Sequence, residues 1–325
     1  MTDRPNASPL RVLVLMGGPD AEREVSLMSG REVAAALRDS NRFEVHEEVI
    51  ATVTAEELRG HGADVVFPVL HGHWGEGGPL QEELERLGLP YVGSRPRAAR
   101  LAMDKLATKL HASASDVPTP RSRELRRNEA CDLEPPLVVK PVDDGSSVDL
   151  RICRSTEEVE RARRELEPRR PRLMAESYVK GRELTVGIVG TAALPVIEII
   201  PAVEYYDYQA KYIRDDTRYV VDPPLPSGVA ERLTALSMRM FERLGCRDVA
   251  RVDFMLEERP GGPECWFLEI NTMPGFTTHS LVPMAARHRG MPMSALCAFL
   301  VERALERRPV AMTGVAGADR RRQAT

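Results

Sequence analysis

A chain of 325 residues is long enough for two or three domains and a sizeable buried core. With 42% apolar and 29% charged residues it has the balance of a soluble globular protein, which excludes a disordered or fibrous chain. A formal net charge of −4 argues against nucleic acid as the main partner, because such proteins need a basic surface to displace counterions.

The first predicted element is the run Val12 to Met16, a strand ending in Gly17-Gly18. It is too short for a signal segment or a membrane span, so a cytoplasmic protein without a membrane partner is expected. An apolar-periodic helix follows through Val25, Ala34, Ala35 and Leu37. Then come a strand from Phe43 to Ile50, a helix opened by the capping box Thr54-x-x-Glu57, and a strand from Val65 to Leu70 that enters a glycine-rich loop. Strands alternating with helices predict an α/β unit over residues 1–95 with a doubly wound parallel sheet, its ligand loops at the carboxyl ends of the strands. Residues 96–179 read as a smaller α+β unit: helices around Ala98 to Ser113, a strand from Leu137 to Lys140, and a helix capped by Ser155-x-x-Glu158. Residues 180–309 hold strands Glu183 to Val189 and Ala193 to Ile200, then a helix from Val229 to Leu244 stopped by Gly245. A hairpin turning at Pro260-Gly261-Gly262-Pro263 and two helices complete this part, and 310–325 reads as a disordered tail. The five cysteines are scattered without a C-x-x-C pair, which indicates neither a disulfide framework nor a zinc site.

The hairpin carries the strongest chemical signal. Arg251 and Asp253 share one face of their strand, as do Glu269 and Asn271 on the next, because successive strand residues face opposite ways. If the register aligns them, two carboxylates, an amide and a guanidinium converge. Opposed like charges destabilise a sheet, so a hard cation held by oxygen ligands rationalises the set, magnesium being the natural candidate. The chain has no Walker motif and no G-x-G-x-x-G, so a nucleotide would need another grip. Strand Leu137 to Val139 delivers Lys140 into the turn P-V-D-D-G-S-S-V, a point charge beside several backbone amides, which suits a polyphosphate. Lys105, in M-D-K-L, is a weaker candidate. The segment Glu176 to Glu183 suits an adenosine or a bare interdomain hinge.

In order along the chain stand M-G-G-P-D-A-E-R-E-V-S-L-M-S-G (16–30), L-H-G-H-W-G-E-G-G-P-L-Q (70–81), M-D-K-L (103–106) and V-V-K-P-V-D-D-G-S-S-V (138–148). Y-D-Y-Q-A-K-Y (206–212), R-V-D-F-M-L (251–256) and L-E-I-N-T-M-P-G-F-T-T-H-S-L-V-P-M-A-A (268–286) follow. Through these strings the chain resembles the D-alanine:D-alanine ligase family of ATP-grasp enzymes over about residues 10–306. The resemblance implies a three-domain ATP-grasp fold and ATP with two Mg²⁺ ions, for which Mn²⁺ can substitute. It also implies a cytoplasmic homodimer that joins two D-alanines through a D-alanyl phosphate for peptidoglycan synthesis.

By the same resemblance Lys105, Lys140 and Lys211 contact phosphates, while Glu176, the Val179 backbone and Glu183 hold adenosine. Asp253, Glu269 and Asn271 carry the metals, leaving Arg251 free to act with the Gly275 N–H on the oxyanion. Glu24 grips the ammonium of the first D-alanine beside His71, and Ser280 with the Leu281 backbone binds the carboxylate of the second. Ser146 and Tyr212 join Glu24 in a triad that closes a loop over the site. Tyr212 favours dipeptide over depsipeptide synthesis. The chain departs from the family's usual pattern at Asp149, where glycine is common, and at His73-Trp74. Asp143, Asp144 and Asp149 would stand near triphosphate, which is unfavourable unless they point outward or meet a metal. Alternatives are a related ligase using D-serine or D-lactate as second substrate, and a nucleotide-binding protein without activity.

Overall fold

Three sheets organise the chain. The computed structural model describes residues 9–127, 129–145, 149–201 and 217–307; Ser146, Lys211, Tyr212 and the 310–325 tail lie outside them. In the first sheet β1 (Leu10–Gly17) lies between the parallel strands β2 (Phe43–Ile50) and β3 (Val65–Pro68). Its run is apolar on both sides because both faces are covered. Val12, Val14 and Met16 meet Val33, Ala34 and Leu37 of α1 (Arg23–Asp39), while Leu13 and Leu15 meet α2 (Ala55–Arg59) and α4 (Pro79–Leu87) through Leu58, Leu80 and Leu84. The doubly wound reading of this part holds. So does the capping box: the Glu57 N–H donates to Thr54 Oγ1 and the Thr54 N–H to Glu57 Oε2. A short α3 (Gly72–Glu76) lies between β3 and α4.

The second sheet, in order β4-β7-β5-β6, is formed by β4 (Ser122–Glu124), β5 (Leu137–Pro141), β6 (Arg151–Cys153) and β7 (Leu173–Ser177). It has its own core, in which Val159, Ala162 and Leu166 of α7 (Thr156–Leu166) pack on Leu137 and Val139. The third sheet runs β10-β9-β8-β11-β12, from β8 (Arg182–Val189), β9 (Ala192–Ile200), β10 (Arg218–Val221), β11 (Val249–Glu257) and β12 (Glu264–Asn271). Helices α5 (Pro96–Met103) and α6 (Lys105–Ser113) join α8 (Val229–Leu244) in the core of this third sheet through Ala98, Ala102 and Ala112. Sequence order alone had grouped them with the central unit. The strands without a sequence signal, β4, β6 and β10, are edge strands too short to show a period.

The opposite face of the third sheet, with α9 (Leu281–His288) and α10 (Met293–Leu305), shares one continuous core with the first sheet. Phe67 of β3 meets Phe276 edge to face at 5.5 Å between centroids. Asp248 fastens the same junction. Fully buried and at φ 67°, it accepts the Gly93 N–H at 2.8 Å and both Nη1 and Nη2 of Arg307 at 2.6 Å. Among the described residues no helix is long and apolar enough to cross a membrane.

Candidate active site

Antiparallel pairing of β11 and β12 sets Arg251 opposite Asn271 and Asp253 opposite Glu269. The alignment expected of the hairpin is therefore present. A bulge follows between Asp253 and Phe254, a distortion that commonly re-aims side chains beside active sites. Arg251, however, does not stand apart from the acidic residues. Its Nε and Nη2 form a fork on Asp253, at 2.9 Å to Oδ1 and 2.8 Å to Oδ2, and the Thr185 hydroxyl donates to the same carboxylate at 2.6 Å. This corrects the expected division of labour: Asp253 orients the guanidinium as well as belonging to the oxygen-rich face.

Between the second and third sheets lies a cleft of about 390 Å³ lined by Lys105, Lys140, Glu176, Val179, Glu183, Asp253 and Glu269. Its apolar walls include Val138, Leu150, Ile152, Met255 and Leu268, enough to receive a flat ring. The chain crosses between the sheets at Gly181, where a Cβ would fall 2.1 Å from the Leu256 carbonyl, so only glycine allows the approach. Lys105 opens α6, donates to the Asp144 carbonyl and stands 3.4 Å from Glu269.

Glu176 lines the same cleft. Its buried carboxylate pairs with Lys140 and, at 2.7 Å, with Lys109, a lysine the sequence reading passed over. Burial pushes this carboxyl up, but the charges and hydrogen bonds of the two lysines outweigh that and hold it at about 2. Burial also pushes the Lys109 amine below its usual value, opposed by Glu176. The Glu176 side chain thus anchors the lysine pair.

A smaller cavity of about 260 Å³ lies between the β1–α1 loop and the turn after β5, with Asp20, Glu22, His73, Asp144 and Arg170 in its lining. Here Glu24 must be corrected: it is exposed on the outer face of α1. Glu22, at the helix N-cap, is buried, and a Cβ built on Gly145 would lie 3.2 Å from its Oε2. The carboxylate that meets the turn after β5 is Glu22. Ser26 secures the loop, accepting the Gly17 N–H at 2.8 Å and donating to the Val69 carbonyl. Trp74 donates its N–H to Asp20 at 3.0 Å and packs on the core of the first sheet, which accounts for it structurally. His71 is buried with Nδ1 3.1 Å from the Met273 carbonyl, joining its loop to the segment after β12. In that segment a Cβ on Gly275 would lie 2.9 Å from Ser280 Oγ. Ser280 turns its hydroxyl to Thr277, whose N–H it accepts at 2.9 Å, and gives no side-chain cap to α9. The amides opening that helix thus receive no cap from this hydroxyl.

The three aspartates of the turn prove accommodated in part. Asp149 adopts φ 60°, the left-handed conformation that glycine would occupy and that aspartate tolerates. Arg169 and Arg170 meet its carboxylate at 3.0 and 2.8 Å, and Arg170 also meets Asp144 at 2.7 Å. Ser146 in this turn, and Lys211 and Tyr212, fall outside the described residues.

Residues 112–302 match the family model for the D-ala D-ala ligase C-terminus, and residues 49–94 that for the N-terminus. The chain belongs to the D-alanine–D-alanine ligase family. A D-alanine–D-alanine ligase B of Chromobacterium violaceum is 43% identical over 296 residues, covering 88% of this chain and 95% of that protein. A D-alanine–D-alanine ligase of Ruegeria pomeroyi is 43% identical, over 90% of this chain and 95% of its own length. Among solved structures, a D-alanine–D-alanine ligase of Bacillus anthracis complexed with ATP superposes with a TM-score of 0.80 at 33% identity, covering 93% of this chain and 99% of that one. The ATP-grasp fold expected from the resemblance is borne out.

Magnesium fits the residues of this ligase-family site. No group of three His, Cys, Asp or Glu side chains able to hold a metal occurs among the described residues. The hairpin instead offers two carboxylates and one amide in register, the kind of partial oxygen set magnesium completes with phosphates and water.

Proposed function

We propose that this ATP-dependent ligase joins two D-alanine molecules into D-alanyl-D-alanine in the cytoplasm, with ATP and Mg²⁺, as a homodimer. The observation that carries the reading is the single cleft in which the lysines and the acidic hairpin face one another across two sheets. A carboxylate oxygen of the first D-alanine attacks the γ-phosphorus and ADP leaves; the amine of the second attacks the acyl carbon, and phosphate leaves as the amine loses a proton. Phosphoryl transfer asks mainly for positioning and charge neutralisation. Lys105 and Lys140, with Lys211, supply positive charge to the phosphates. Mg²⁺ held by Asp253, Glu269 and Asn271 would neutralise phosphate charge when bound. Arg251 and the Gly275 N–H donate to the oxyanion of the second step, and the opening turn of α9 at Ser280 and Leu281 takes the second carboxylate. Val179 and Glu183 serve the adenosine.

ADP release measured with D-alanine, D-serine, D-lactate or no acceptor tests the reading. Turnover should require D-alanine and yield the dipeptide. D-alanyl-D-lactate as main product at neutral pH, or ATP binding without turnover, would defeat it.

We assign the ammonium of the first D-alanine to Glu22, with His71 serving the same substrate from the loop whose Gly72 and His73 line that cavity. Glu22→Gln should raise the D-alanine concentration needed for half-maximal ADP release by about tenfold, the worth of one charged hydrogen bond. Glu24→Gln, a surface change, should stay within about twofold. The reverse pattern would return the role to Glu24.

A further inference from the structure

We propose that Arg170 is a positioning residue for the nucleotide, holding Asp144 and Asp149 of the segment that follows β5. The inference rests on the proposed reading of Pro141, Asp144 and Gly145, which line the nucleotide cleft, as facing the phosphates. One guanidinium reaches Asp144 on the near side of the turn, with Nη1 at 2.7 Å, and Asp149 on the far side, with Nε at 2.8 Å. Arg169 adds a second contact to Asp149, Nη2 to Oδ1 at 3.0 Å.

Exposed ion pairs contribute little, so the setting decides whether the clamp matters. The Arg170 and Asp144 side chains are each 29% exposed and Asp149 14%, and one planar fork engages two carboxylates at once. The arginines are themselves held. Both backbone N–H groups donate to the Leu166 carbonyl at the end of α7, at 3.0 and 2.9 Å, and the Arg172 carbonyl accepts the Val142 N–H at 3.1 Å. Pro168 and Pro171 restrict the backbone on either side of the pair.

The clamp also leads into the site. Asp144, whose carboxylate Arg170 holds, gives its backbone carbonyl to Lys105, and Lys105 stands beside Glu269 of the acidic hairpin. Arg170 therefore offsets the charge of two carboxylates that would oppose a polyphosphate, one of them in the lining of the cleft, and sets the carbonyl that aims one of the phosphate lysines. The chain uses aspartate at 149 together with a paired arginine where glycine alone would satisfy the backbone.

The test compares the intact protein with Arg170→Ala, Arg170→Lys and Asp149→Gly. It measures ADP binding in MgCl₂ by calorimetry, thermal midpoint, and KM for ATP and for D-alanine. Arg170→Ala should weaken ADP and raise the ATP KM by about tenfold, the loss expected for charged hydrogen bonds, with kcat within about twofold and a smaller rise in the D-alanine KM, since Arg170 also lines the Glu22 cavity. Asp149→Gly, which suits φ 60° without strain, should show a smaller loss of the same kind, because Arg170 keeps Asp144. Arg170→Lys should recover part of the affinity. A lowered thermal midpoint with unchanged ADP affinity, or a D-alanine KM that rises as much as the ATP KM, would overturn the assignment. Should Arg170→Ala fail to fold, Asp149→Gly decides by the same readouts. If the unaltered protein binds ADP but shows no D-alanine-dependent turnover, the ligase reading fails while the binding comparison still judges Arg170.

Discussion

Arg251→Ala should lower kcat for ADP release by roughly several-hundred-fold at saturating ATP and D-alanine. Removing one donor from a developing oxyanion typically costs about 3–4 kcal/mol in the transition state, because the donor acts in a dry site and is already oriented. Here the orientation comes from Asp253, which grips Nε and Nη2 of the guanidinium. Arg251→Lys should therefore restore little, since an ammonium cannot reproduce a fork. KM values should move less than kcat, because the lost contact belongs to the transition state. Retention of near-normal turnover by the alanine variant would remove Arg251 from the chemistry.

Glu176→Ala should destabilise the protein by about 3–5 kcal/mol, the range for removing one partner of a buried ion pair, and should raise the ATP KM as Lys140 loses its anchor. Two ammonium groups, Lys109 and Lys140, would face each other without the carboxylate between them. Urea unfolding checks the first effect and steady-state kinetics the second. The pH dependence has a definite sign. The folded carboxyl sits at about 2, below its ordinary value of 4.5, so the unfolded chain binds the proton more readily. The stabilisation by Glu176 is complete above about 4.5 and is lost as pH falls toward 2. The difference in unfolding free energy between the unaltered protein and Glu176→Gln should accordingly narrow on acidification through that window. A difference that stays constant would mean that the pair contributes no net stabilisation.

The hairpin was legible because strand parity and a proline-glycine turn fix which side chains share a face, and the register placed Arg251, Asp253, Glu269 and Asn271 as parity requires. The Glu22 result was also within reach of the sequence. Glu24, Met28, Arg31 and Ala35 form one exposed helical stripe, whereas Val25, Ser26, Ser29 and Val33 are buried, and Glu22 precedes the buried stripe by one turn. The resemblance passed over this periodicity, and the apolar-periodic reading of the helix included Ala35, which is exposed. Lys109 carried the same kind of signal, four residues after Lys105 on one helix face, but a lone lysine reads as solvated until its carboxylate partner from another strand is known. The grip of Arg251 on Asp253, and of Arg170 on Asp144 and Asp149, depends on side-chain geometry that residue spacing does not encode. Edge strands of three or four residues are held by their neighbours rather than by a pattern of their own.

The Asp248 junction and the shared core of the first and third sheets have a consequence for how the two kinds of ligand are bound. The segments assigned to the amino acids, the β1–α1 loop, the His71 loop and the stretch from Met273 to Leu281, belong to one welded body, and the turn after β5 comes to the Glu22 cavity from the second sheet. The nucleotide cleft straddles two separate cores, and its occupant must bear the entropy of drawing them together. Calorimetry should then find the larger entropic penalty on the nucleotide, and solutes that favour compact states should tighten ATP more than D-alanine.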